Sequence, residues 1–208
     1  MKGNSRSDKI IWRVKMGTRH LTAVYCDGEY KIAQYGQWDG YPSGAGTDVL
    51  MFAQRISDPY NRNEFREKVR KCRWITDEEI AERNNRIREE DIQDWRKVWP
   101  ELSRDTGAGI LDMVFEGDGL ALVNNIDFAA DSLFCEWAWV IDLDKGTFEG
   151  YEGFNKEPLA EGERFSFLKD KEDGKYHGVM LVKAYDLNDL PDRKTFLEDF
   201  EDEDSEDG

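Results

Sequence analysis

Histidine is almost missing from this chain, two in 208 residues, and cysteine is scarce at three. Cys26, Cys72 and Cys135 are far apart, odd in number and form no Cys-x-x-Cys pair. Neither a zinc or iron–sulfur motif nor a disulfide framework is expected, and the three read as buried thiols. His20 and His177 are too few for a histidine cage and the carboxylates lack a metal-binding spacing, so no metal site and no cofactor is expected. Positive charge is also short: 29 Lys and Arg stand against 45 Asp and Glu, a net charge of −16. That balance repels phosphate backbones and argues against direct nucleic-acid binding. No apolar run approaches the ~20 residues of a membrane span, and the opening has no signal-peptide core. These absences lead to the expectation of a soluble, cytoplasmic protein with no membrane contact.

What is present is enough for a core, since 39% of residues are hydrophobic and 12% aromatic, and the length suits one domain. Charge is uneven along it. Residues 1–15 carry Lys2, Arg6, Lys9, Arg13 and Lys15 against Asp8 and read as a flexible leader. Residues 198–208 hold eight carboxylates and no base, an acidic tail that frays or lures a basic host protein. Between them, 16–197 is expected to form one α+β domain, an antiparallel β-sheet with packed helices and a charged helical excursion over 60–100.

Asp27-Gly28 between two alternating runs, His20 to Gln34, predicts a hairpin. Counting outward from a two-residue loop sets Cys26 against Glu29, Val24 against Lys31, Thr22 against Ala33, His20 against Tyr35 and Thr18 against Gln37. The opposite face, Leu21, Ala23, Tyr25, Tyr30, Ile32 and Gln34, is then the core side. At the open end Thr18, His20, Tyr35 and Gln37 gather beside the loop Trp38-Asp39-Gly40-Tyr41-Pro42-Ser43-Gly44.

Further along, Val49, Phe52, Ala53 and Ile56 predict a helix from near Thr47, Thr76 and Glu79 a capping box, and Ser103 to Phe115 a capped helix. Phe134 to Ile141 reads as a central strand covered on both faces. Strands are also expected over Arg164 to Leu168 and Tyr176 to Tyr185, and a short helix around Pro191 to Phe200. Glu136 among apolar neighbours is an acid–base candidate, or the partner of Arg19 or Arg104. Asp105 reads as an N-cap.

The runs Met16-Gly17-Thr18-Arg19-His20-Leu21, Gln34 to Gly44 and Phe128-Ala129-Ala130-Asp131-Ser132-Leu133-Phe134-Cys135-Glu136 resemble a family of uncharacterised bacteriophage and prophage proteins. The likeness spans Met16 to about Phe167. It implies an accessory, counter-defence role such as sequestering or cleaving a nucleotide signal. Gly17-Thr18 before a strand is similar to the processing junction of proteasome-type N-terminal nucleophile hydrolases, which implies Thr18 as nucleophile after removal of the leader; no lysine follows at the matching place.

The leading expectation is a small polar or nucleotide-like ligand at the hairpin's open end. Trp38 or Tyr41 would stack on it and Arg19 would meet an anionic group, with Thr18, Tyr35, Gln37, Asp39 and Ser43 completing the lining. His20 or Glu136 would serve as acid or base if it is cleaved. The alternatives are an N-terminal nucleophile amidohydrolase and an acidic protein that blocks a basic host partner.

Overall fold

The computed structural model describes residues 17–169 and 175–200; the expected leader and most of the acidic tail lie outside them. Five strands form the main sheet in the order β2-β1-β5-β6-β7. They are β1 (His20–Cys26), β2 (Glu29–Gly36), β5 (Trp137–Asp142), β6 (Thr147–Glu152) and β7 (Met180–Asp186). A two-stranded ribbon pairs β3 (Arg73–Trp74) with β4 (Ala121–Leu122). The helices are α1 (Thr47–Arg55), α2 (Pro59–Arg70), α3 (Asp77–Glu89), α4 (Trp95–Val98), α5 (Ile110–Glu116) and α6 (Arg193–Glu198). The α+β architecture matches expectation, with one parallel pair, β1 against β5, in an otherwise antiparallel sheet.

Strand β5 is buried at every position, as a central strand should be. Side-chain alternation sends Trp137, Trp139 and Ile141 to one face with Val24 and Ile32, where α1, α2, α5 and α6 supply Phe52, Phe65, Leu111 and Phe196. The opposite face carries Leu21, Ala23, Ala33, Ala138 and Val140 under the loops that hold Ala129, Phe165 and Val179. Helices cover one face and loops the other.

The hairpin turns at Asp27-Gly28, both with positive φ, but its register departs from the two-residue count. Cys26 faces Glu29 and Tyr25 faces Tyr30; the ladder then slips, and Val24 faces Ile32, Thr22 faces Gln34 and His20 faces Gly36. Lys31 is the extra residue of a β-bulge. The reason is burial: an unbulged ladder would set Lys31 against Val24, which is fully buried, whereas the bulge brings Ile32 there. Tyr35 consequently pairs with Leu21 and leaves the face that His20 occupies.

Other boundaries shift for local reasons. Helix α1 begins at Thr47 after a wide turn over Pro42–Gly46. Thr76 and Glu79 make the capping box of α3. The helix expected over Ser103 to Phe115 shortens to a 3-10 turn, Gly107–Gly109, and α5. Asp105 caps nothing there and instead accepts from Trp38 Nε1 at 3.0 Å. Arg164 to Leu168 is no strand, because Arg164 turns inward to bind carboxylates on β5 and β6. Within the excursion, α2 sends Phe65 and Val69 into the core, whereas α3 has no fully buried residue. At the C-terminal end Asp199 still holds Lys183 and Tyr185, and Phe200 packs on Trp139. No helix among the described residues is long and apolar enough to cross a membrane.

Candidate functional site

Strand parity decides what the hairpin's open end brings together. Thr18, His20 and Thr22 alternate onto the helix-covered face of β1, and Thr18 and His20 are each 2% exposed. The His20 ring fits there because three neighbours have no side chain. A Cβ on Gly36, its cross-strand partner, would overlap the ring, coming within 2.8 Å of Nδ1. One on Gly107 would lie 3.0 Å from Nε2, and one on Gly40 2.8 Å from the His20 Cβ. Gly107 also needs its left-handed φ of 47° to turn the chain over the ring.

This glycine-walled chamber leaves polar atoms without partners. Thr18 Oγ1, both nitrogens of His20 and Thr22 Oγ1 are buried, and none has a hydrogen-bond partner of good geometry among the described residues; Gln37 Oε1 is unpartnered too, but the ladder does not set it on this face. Each unmet group costs about 1–3 kcal/mol, so a cluster of them calls for a water or ligand. Burial lowers the His20 pKa to about 4, with the Thr18 backbone opposing weakly; the ring is neutral at pH 7.

That shift has a sign. Between pH 6.5 and 4 the unfolded chain binds the His20 proton and the folded one does not, so stability falls as pH drops through this window and the His20 contribution levels off below it. The expected loss is about 3 kcal/mol. Urea titrations at pH 7 and pH 4 on wild type and His20→Gln check it; an equal pH dependence in the two proteins would contradict the buried neutral ring.

The loop beyond β2 forms the rim. Trp38 is 52% exposed, held by Asp105 and packed beside Gly17. Asp39 adopts φ 55°, its carbonyl accepts from Ala45 N at 2.8 Å and its carboxylate fills the space a Cβ on Gly44 would need. Tyr41 is half-buried and its carbonyl accepts from Gly44 and Gly46. Ser43 is exposed. Trp139 Nε1 donates to the Gly40 carbonyl at 3.0 Å, tying the loop to the central strand.

Three expected site residues lie on the other side of the sheet. Arg19 rests over the Phe134 ring at 4.6 Å and its N–H donates to Glu136 Oε1 at 3.4 Å. Tyr35 packs edge-on against Phe128. Thr18, His20 and Thr22 with the rim of Trp38, Asp39, Tyr41 and Ser43 therefore form one group, and Arg19, Tyr35 and Glu136 another; the slip that moves Tyr35 also undoes the expected pairing of Thr18 with Gln37, which has the parity of Tyr35 and not of Gly36. The sequence pattern did not single out Gly36, Gly40 and Gly107 as walls, or Thr22 as a third polar group. A glycine ending a strand, as Gly36 does, is the signal of close approach that would have found the chamber.

Cys26, Asp27 and Asp144 also converge, but the Arg66 guanidinium lies 3.0 Å from Asp144 and 3.3 Å from Asp27, and Arg70 holds Asp27. An internal cation already serves these groups. No family model matches the chain, and neither a curated protein nor a solved structure matches it.

Proposed function

We propose that the open end of the β1–β2 hairpin binds a small polar, nucleotide-like ligand. One observation carries this: three side chains on one face of β1 and its N-terminal approach, Thr18, His20 and Thr22, present buried polar atoms without well-formed hydrogen bonds among the described residues, beside a rim with an exposed indole. Thr18 and Thr22 supply hydrogen bonds, neutral His20 accepts or donates one, and Trp38 offers a face for a planar group. Arg19 and Glu136, across the sheet, take no part, which removes the expected anion contact and one of the two expected acid–base groups. In the phage setting that the motifs imply, such a site sequesters a nucleotide signal.

The test is a titration of protein labelled with ¹⁵N at histidine, using nucleoside monophosphates as probes. Binding shifts the His20 ring nitrogens, and Trp38→Ala weakens it about tenfold, the loss of one stacking contact. Unmoved His20 signals at millimolar probe would refute the nucleotide class.

A second reading is favoured by a separate observation. Asp48 and Asp112 line a cleft of about 320 Å³ between α1 and α5, and burial, Asp39 and Asp112 together raise the Asp48 pKa. Arg55 lines the same cleft and holds Asp112 at 2.8 Å, which leaves Asp48 as the carboxylate that, on a chain of −16, suits a basic protein partner. Such binding weakens steeply with salt and is indifferent to Thr18→Val, which separates the two readings.

A further inference from the structure

Helix α3 turns Ile80, Arg83, Asn84, Ile87 and Arg88, spaced as one helical stripe, toward a cleft rather than a packed core. Across the cleft stand Trp95, Trp99, Leu102 and Val123. Its volume is about 370 Å³, within the range of small-molecule sites. No residue of α3 is fully buried, so the apolar stripe of a 13-residue helix faces an open space.

The two charged side chains that line this cleft, Arg83 and Arg88, are both cationic. Arg83 is fixed by Glu101 at 2.7 Å, and Glu101 is itself 8% exposed, so this cation is held in place and partly neutralised. Arg83 and Arg86 lie over the Trp99 ring at 5.7 and 5.2 Å. Arg88 forms no ion pair among the described residues and stands at the rim. A cationic guest would meet Arg83 and Arg88, and a neutral one would leave Arg88 unanswered.

We propose that the α3–α4 cleft is a binding site for a small amphipathic organic anion, with an apolar body of aromatic size and one carboxylate, sulfonate or phosphate group. Ile80, Ile87, Leu102 and Val123 enclose the body, and Arg88, with Asn84 beside it, meets the anionic group. The site is independent of the hairpin chamber and shares none of its residues.

The probe is 8-anilinonaphthalene-1-sulfonate, with 1-naphthylmethylammonium as the cationic control. Wild type binds the sulfonate saturably, one per chain, with quenching of tryptophan emission. Arg88→Glu, an exposed change, weakens binding at least about tenfold while circular dichroism is unchanged, and Arg193→Glu on α6 leaves binding as in wild type. Ile87→Arg, which fills the cleft, also abolishes it. Non-saturable binding, equal affinity in Arg88→Glu, or equal binding of the cationic control would overturn the proposal. A chain dimer that excludes the probe would also overturn it by assigning the cleft to a second copy.

Discussion

Arg164→Met is expected to destabilise the fold by about 3–5 kcal/mol, the range for breaking a buried ion pair from one side. Arg164 binds Asp142 Oδ2 at 2.5 Å and both oxygens of Glu149, at 2.8 and 2.5 Å. Its side chain is 8% exposed, with Asp142 at 1% and Glu149 at 7%. Thr147 and Tyr151 donate to Glu149, and the backbone of Asp144 and Lys145 donates to Asp142. Burial works to raise the Glu149 pKa, but Arg164, Tyr151 and Thr147 overcome it and hold the carboxyl below its usual value.

Without the guanidinium, two buried carboxylates share one sheet face. With Arg164 gone, burial raises the Glu149 pKa unopposed by the cation, so the deficit of Arg164→Met shrinks as pH falls from 7 toward 4, opposite to the His20 effect. Asp142→Asn with Glu149→Gln in the same chain recovers much of the loss at pH 7, because no unpaired charge remains. Urea unfolding of the three proteins at both pH values measures this. A deficit under about 1 kcal/mol, or one independent of pH, would show that the clasp contributes little.

Gly36→Ala is expected to cost about 3 kcal/mol, the upper range for overpacking a core. Alanine's added carbon would occupy the space of the His20 ring, and β1 and β2 are too firmly paired to part. The effect should be specific. Combining it with His20→Ala makes the double variant more stable than the two single losses predict, by roughly 1–3 kcal/mol of coupling. Additive losses in thermal or urea unfolding would place the ring elsewhere.

How much of this was legible in the sequence depended on range. Asp27-Gly28, the Thr76–Glu79 capping box and the alternation of Trp137 to Ile141 are local signals, and each yields its element. The bulge at Lys31 was legible only by asking which residue could face buried Val24, a question of packing rather than of spacing. Pairing across long separations carries no local mark: β1 joins β5 in parallel 117 residues away, and Arg164 reaches Asp142 over 22. An arginine inside an apolar run was read as a strand position because nothing nearby shows the carboxylates it binds. At the site, alternation along the first strand set Thr18 and His20 on one face, but the expected pairing of Thr18 with Gln37 does not survive the slip. The register slip separated Tyr35 from them, and parity alone placed Arg19 on the far face.

The most direct test of the hairpin site is the mass of the purified protein, native for anything bound and denatured for the chain. A ligand held by the buried groups of Thr18, His20 and Thr22 predicts a small polar mass bound one to one in wild type and lost in Thr18→Val. The intact chain would retain Gly17. A bare wild-type chain would contradict the site, and a chain beginning at Thr18 would replace it with the N-terminal nucleophile.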